Sequence, residues 1–237
     1  GTAFSNDASA TGVGTIDSSG QVNATAGFSI VSYTATGTAG TIAHGLSAAP
    51  EFIIVKHRDQ SGTSWPVYFG DNTDAVYLSG TDATTDDANA WNDTSPTSTV
   101  FSVGPNGGDT NNSSGGATIA YCFHSVEGYS KVGSYVGNGN ADGNFIYTGF
   151  RPAWIMIKNI TDAGEHWEIW DSTRDTDNVV TQRLRASSSG ADVSSTFMDF
   201  VSNGVKHRNT SGGYNSSGKT FIYLAFAEQP FKFANAR

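Results

Sequence analysis

The sequence predicts an all-β protein made of two homologous sandwich- or jelly-roll-like repeats in tandem, with either one core each or a single shared core. Three observations carry this. The chain of 237 residues is only 15% charged, with 28 glycines and 12% aromatic residues, the balance of many short strands joined by tight turns. Its apolar residues fall in short runs bounded by Gly, Asn, Asp and Ser clusters, and no long segment has helical periodicity. Finally, "PEFIIVK" (50–56) returns as "PAWIMIK" (152–158), with the same proline, the same lysine and the same apolar run, at an offset of 152 − 50 = 102.

Residues 1–27 are small and polar, which predicts a flexible linker or arm. If ordered, such a segment would be held by neighbouring chains or by the face of the domain. The first repeat spans 28–128 and the second 129–237. Each opens with a strand, "FSIVSYT" or "SKVGSYV", and passes a Gly-rich turn into "TIAHGL" or "NFIYTGF". Next come the proline-led apolar strand and "SWPVYF" or "EHWEIWD", followed by a variable polar loop. "STVFSVG" or "TFMDFVSNGVKHR" leads to the closing strand, "ATIAYCFHS" or "TFIYLAFAE".

The 102-residue register also places Tyr33 on Tyr135, Gly37 on Gly139, Trp65 on Trp167, Gly116 on Gly218 and Tyr121 on Tyr223. Agreement at aromatic and glycine positions in one fixed register reads as a tandem duplication. Under it, Ile119, Tyr121 and Phe123 share a strand face and match Phe221, Tyr223 and Ala225, because strand side chains alternate. The unbroken apolar runs 52–55 and 154–157 need cover on both faces, the second cover coming from the sister repeat or another chain. Lys56 and Lys158 are expected to carry their ammonium groups out at the strand ends.

A net charge of −9 disfavours nucleic acid as a partner. The single cysteine, Cys122, permits no intrachain disulfide and reads as a small buried thiol. No stretch reaches the roughly 20 apolar residues of a membrane-spanning helix, so no membrane insertion is expected. The chain opens on Gly1 and not on methionine, as expected of a processed or truncated piece, and its targeting is unreadable.

With these residues in hand, the sequence resembles a β-repeat of tailed-bacteriophage structural proteins, often marine and tail-fibre-like. The resemblance rests on "GFSIVSYTATGTAGTIAHGLSAAPEFIIVKHRD", "WNDTSPTSTVFSVG", "GYSKVGSYVGNGNADGNFIYTGFRPAWIMIKN" and "FIYLAFAEQPFKFANAR", and covers residues 28–237. It implies a non-enzymatic virion component on the particle exterior: a fibre, a tail appendage or a head decoration. The partners expected are other copies of the chain, most simply in a trimer, other virion proteins, and host-surface glycan if the protein contributes to attachment. A glycan-binding adhesin is the first alternative and a polysaccharide depolymerase the second.

Chemical motifs are sparse, and no catalytic residue, metal site or cofactor is expected. Glu168 and Asp171 are three apart on a strand and so face opposite ways, whereas two catalytic carboxylates must face one sugar ring. The five histidines lack zinc spacing. "NGNADG" (138–143) begins like a calcium loop but has Gly149 where a bidentate glutamate belongs, and reads as a tight hairpin turn. For recognition, an exposed ring beside Asp and Asn suits a sugar. That composition marks Trp91 with Asp87 and Asn92, and Tyr214 in "RNTSGGYN" (208–215), as binding candidates. The competing reading of Trp91 is a plug at the base of its loop.

Overall fold

The computed structural model describes residues 1–105 and 111–229. The chain forms two compact units, the first from Gly1–Leu78 and Thr84–His124, the second from Ser79–Ala83 and residues 125 onward.

Unit 1 contains β1 (Thr2–Asn6), α1 (Ala8–Thr11), β2 (Ser18–Asn23), β3 (Phe28–Thr34), β4 (Gly40–Ala43) and β5 (Phe52–His57). It continues with β6 (Pro66–Tyr68), β7 (Asp74–Tyr77), β8 (Thr85–Asp86), α2 (Ala88–Trp91), β9 (Val100–Val103) and β10 (Ala117–Phe123). Its main sheet runs β1-β2-β3-β10-β5-β6-β7-β8, and β4 pairs with β9 in a second sheet.

Unit 2 contains β11 (Ser130–Val136), β12 (Phe145–Tyr147), β13 (Pro152–Asn159), β14 (Trp167–Asp171), β15 (Val180–Arg185), β16 (Val193–Val201), β17 (Gly204–His207) and β18 (Thr220–Ala227). These form one sheet, β11-β18-β13-β14-β15-β16-β17-β12. The order β3-β10-β5-β6-β7 of unit 1 therefore recurs as β11-β18-β13-β14-β15.

The core is divided. One apolar cluster, including Val31, Ile53, Val55, Phe101 and Cys122, lies in unit 1, and a second, including Ile155, Ile157, Trp170, Phe200 and Tyr223, lies in unit 2. In each unit alternate residues of the proline-led strand point into that unit's own cluster, the pattern that antiparallel pleating imposes.

Three expectations are corrected. Residues 1–27 are not a linker: β1, α1 and β2 are part of unit 1, with β2 laid against β3 over Ser18–Asn23. Their stabilisation comes chiefly from backbone ladders, assisted by Phe4, Ile16 and Val22 against the core, so a composition poor in apolar residues hid them.

The second correction concerns register. Thr118 stands opposite Tyr33 and Phe221 opposite Tyr135; 135 − 33 = 102, but 221 − 118 = 103. One extra residue precedes the closing strand of unit 2, and a one-residue shift exchanges the two faces of a strand. The core-facing residues are accordingly Ala120 and Cys122 in β10, equivalent to Tyr223 and Ala225 in β18. Tyr121 points the other way.

Third, Lys158 is fully buried. Its Nζ donates to the carbonyls of Asn159 at 2.7 Å and Glu165 at 2.9 Å, and burial lowers its pKa to about 8. Lys56, half-buried, turns back on Thr63 and lies 5.5 Å from the centre of the Trp65 ring.

Candidate functional site

The two aromatic rings expected to bind sugar are inside the protein. Trp91 is 1% exposed and Tyr214 0%. Trp91 ends α2 and packs edge-on against Tyr68 at 5.5 Å, in the unit 1 core. Asp87 caps the start of that helix by accepting from the Asn89 backbone N–H, and Asn92, at φ 53°, ends it. The three residues close a loop around a buried plug and present no ring to a ligand. Tyr214 packs against Trp170 and Phe197 at 5.1 and 6.0 Å.

What surrounds Tyr214 explains its burial. The Tyr135 hydroxyl donates to the Tyr214 carbonyl at 2.6 Å, and the next residue, Asn215, is a fully buried clamp. Asn215 Oδ1 accepts from Asn138 N at 3.1 Å, and its Nδ2 donates to the carbonyls of Asn140 and Asn209 at 2.9 and 2.8 Å. Unit 1 repeats the device. The Tyr33 hydroxyl donates to the Asn111 carbonyl at 2.5 Å, while Asn112 accepts from Thr36 N and donates to the carbonyls of Thr38 and Gly104. Each side chain satisfies two backbone groups of the turn that follows the first strand of its repeat, Thr36 N and Thr38 O or Asn138 N and Asn140 O, and a third from a separate segment, the carbonyl of Gly104 or Asn209, as buried polar groups require. Between the two bound backbone groups lies Gly37 (φ 75°) or Gly139 (φ 63°), whose added Cβ would meet Ser114 or Ser217 at 2.9 or 2.8 Å. Each clamp thus needs its glycine. "NGNADG" is the unit 2 version of this clamped turn, joining β11 to β12, which do not pair with each other. It is therefore not a hairpin.

The most charged interior cluster lies in unit 2. Glu168, 1% exposed, has Arg183 Nε at 2.8 Å and Arg185 Nε at 3.4 Å. Burial raises its pKa against the pull of both guanidiniums. Arg183 also lies 5.1 Å from the centre of the Phe197 ring. Glu168 stands opposite Ile157 and Asp171 opposite Trp154, so the two carboxylates lie on opposite faces of β14. Nucleophile candidates are also held inside: Cys122 is fully buried, and burial raises its pKa to about 12. His207, fully buried beside Tyr135 and Tyr214, is lowered to about 3 by burial. No cluster of three or more His, Cys, Asp or Glu able to hold a metal occurs among the described residues.

Among the described residues, two of the accessible surfaces bear on binding. One is a polar groove in unit 1 lined by Ser5, Asn6, Asp17, Ser32, Thr34 and Arg58, among others. Asp17 already accepts from Ala8 N at 2.9 Å. The other follows the outer edges of β11 and β12. Among the described residues, the exposed large apolar side chains are Val136, Phe145, Tyr147, Leu184 and Val193, and the first three belong to these two strands. Sequence reasoning missed this surface because Phe145, Ile146 and Tyr147 form a short unbroken apolar run, indistinguishable from that of a buried strand.

No curated protein and no solved structure compared with the chain matches it. Residues 3–230 match the model of a family described as "Domain of unknown function (DUF7483)"; this span takes in both units, and the chain belongs to that family.

Proposed function

We propose that the protein is a non-enzymatic structural component of the exterior of a tailed-bacteriophage particle, assembled as a homo-oligomer beside other virion proteins. The observation that carries the reading is a division of the polar groups. Glu168 is held inside by two arginines and His207 among rings, while Val136, Phe145 and Tyr147 are presented on sheet edges. That division suits a protein that binds other proteins and does not turn over a substrate. The sequence resemblance to phage fibre-like repeats points the same way.

Light scattering together with electron microscopy of the purified chain tests this. A defined oligomer, a trimer in the simplest arrangement, is expected, and a strictly monomeric species at high concentration would overturn the assembly reading. Glycan recognition is the second reading, favoured by the polar groove around Arg58 and Asp17. It predicts saturable binding on a glycan array that is lost in Arg58→Ala. The depolymerase alternative predicts release of reducing sugar from host polysaccharide, abolished by Glu168→Gln.

A further inference from the structure

Unit 1 and unit 2 differ at two edges. In unit 1, β2 covers the outer edge of β3, with Ser19 opposite Ser32 and Gln21 opposite Ile30. The residues just before β2 cover the outer edge of β4: Thr15 and Ile16 donate their N–H groups to the Thr41 carbonyl at 2.9 and 3.1 Å. Thr41 N donates back to Thr15 Oγ1 at 2.9 Å, and Ile16 forms a parallel bridge with Ile42. One continuous segment, residues 13–23, therefore closes both edges.

The equivalent strands of unit 2 are β11 and β12. Ile42, Gly45 (φ 74°) and Leu46 of unit 1 have the same places as Ile146, Gly149 (φ 88°) and Phe150 of unit 2. His44 N donates to the Thr99 carbonyl as Thr148 N donates to the Asn203 carbonyl. Both strands end the unit 2 sheet order, and among the described residues no strand pairs with their outer edges.

The direction of the backbone groups follows from antiparallel alternation. In β12, Asn144 and Thr148 bond toward β17, so Phe145 and Tyr147 direct their N–H and C=O outward. In β11, Gly137 N bonds toward β18 and Val132 N turns away to Ser125 Oγ, so Ser134 also directs its backbone groups outward. Val136, Phe145 and Tyr147 are 57%, 45% and 65% exposed. On β11 the outward groups of Ser130 and Val132 are met by residues 125–126 and the Val136 carbonyl accepts from Asn144 Nδ2 at 2.8 Å, so the open positions are Ser134 on β11 and Phe145 and Tyr147 on β12. Open edge positions flanked by exposed apolar side chains invite added strands.

We propose that unit 2 is completed in trans by an extended segment of another polypeptide with the chemistry of residues 13–23, small and hydroxyl-bearing with β-branched residues where Ile16 and Val22 stand. The chain itself supplies the precedent. The segment runs parallel along β12, as Ile16 does along Ile42, and antiparallel along β11, as β2 does along β3.

The probe is a synthetic peptide of residues 13–23, VGTIDSSGQVN, added to the intact protein and followed by amide hydrogen exchange. Expected is saturable slowing at the Ser134, Phe145 and Tyr147 amides, about tenfold when the peptide stands at ten times its dissociation constant. Ser134→Pro removes only an outward N–H, which an edge strand tolerates, and Tyr147→Lys puts a charge on the edge. Each should abolish the slowing while circular dichroism remains that of the parent. No slowing in the folded protein, or slowing indifferent to both substitutions, overturns the proposal. Self-association abolished by the same two substitutions also overturns it, because a second copy would then occupy the edges. A monomeric chain that binds the peptide would retain this inference while sinking the homo-oligomer reading.

Discussion

Unit 1 and unit 2 share a sheet plan and an asparagine clamp but complete themselves by different means. Unit 1 fills its core with Trp91 from a four-residue helix and covers its edges with the N-terminal segment. Unit 2 uses the β15–β16 hairpin, which carries Phe197 inward and supplies Arg183 and Arg185 to Glu168, and among the described residues it has no strand over the outer edges of β11 and β12. The shared parts are those that fix the backbone path; the divergent parts are those that add mass over one end of the sheet. A sheet of fixed order therefore tolerates either filler so long as the clamp and the central strand are kept.

The largest expected effect separates the two fillers. Trp91→Ala should destabilise unit 1 by about 3–5 kcal/mol, the usual cost of removing a buried large aromatic, and leave unit 2 unchanged; native-state hydrogen exchange resolves the units. Glu168→Ala should do the reverse. It strands Arg183, 8% exposed, without its carboxylate, at about 3–5 kcal/mol when one partner of a buried pair is removed. Equal loss in both units from either substitution would show that the units do not unfold separately.

The clamps test what is common. Asn112→Ala and Asn215→Ala should each cost about 2–3 kcal/mol, since each leaves buried backbone groups unsatisfied, and the two values should be similar. A large disparity would break the equivalence.

Acid sharpens the contrast in unit 2. His207 has a folded-state pKa of about 3, below the ordinary 6.5. Between those values the unfolded chain takes up a proton that the folded chain refuses, so stability falls as pH drops from 6.5 toward 3, by at most about 1.4 kcal/mol per pH unit. His207→Phe should flatten this slope in unit 2. In unit 1 His44 is also lowered by burial and should leave a slope of the same sign. The smallest effect is Cys122→Ala, about 1 kcal/mol, because only one sulfur is removed from the core. The native thiol should resist an aromatic disulfide reagent until unit 1 opens.

Much of the fold was legible because antiparallel strands write their pleat into the sequence: Phe28–Thr34 and Ser130–Val136 could be bounded to the residue. The N-terminal strands were not, since Ser18–Asn23 is held chiefly by ladder hydrogen bonds and has Val22 as its one large apolar side chain. The face of the closing strand was misread because identity at Tyr121 and Tyr223 outweighed a single inserted residue, and geometry follows the count. The binding candidates failed for a related reason. A tryptophan among Asp and Asn has the composition of a sugar platform and equally that of a capped helical plug, and only burial distinguishes them. The exposed pair Phe145 and Tyr147 gave no warning, because exposure on an edge depends on the absence of a neighbouring strand, and no local sequence records that.

The place of β10 and β18 bears on how the chain acquires its structure. Each is the last described strand of its unit in sequence yet lies between the strand that opens the repeat, β3 or β11, and the proline-led strand, so those two cannot be joined before the closing strand has been made. Joining the parts of each sheet through its closing strand is then a late, non-local event, of the kind that places β proteins in the millisecond-to-second range. A chain cut just before residue 220 would lose the seam that joins β11 to the rest of its sheet, while β13 to β17 and β12 would keep the pairings they make with one another.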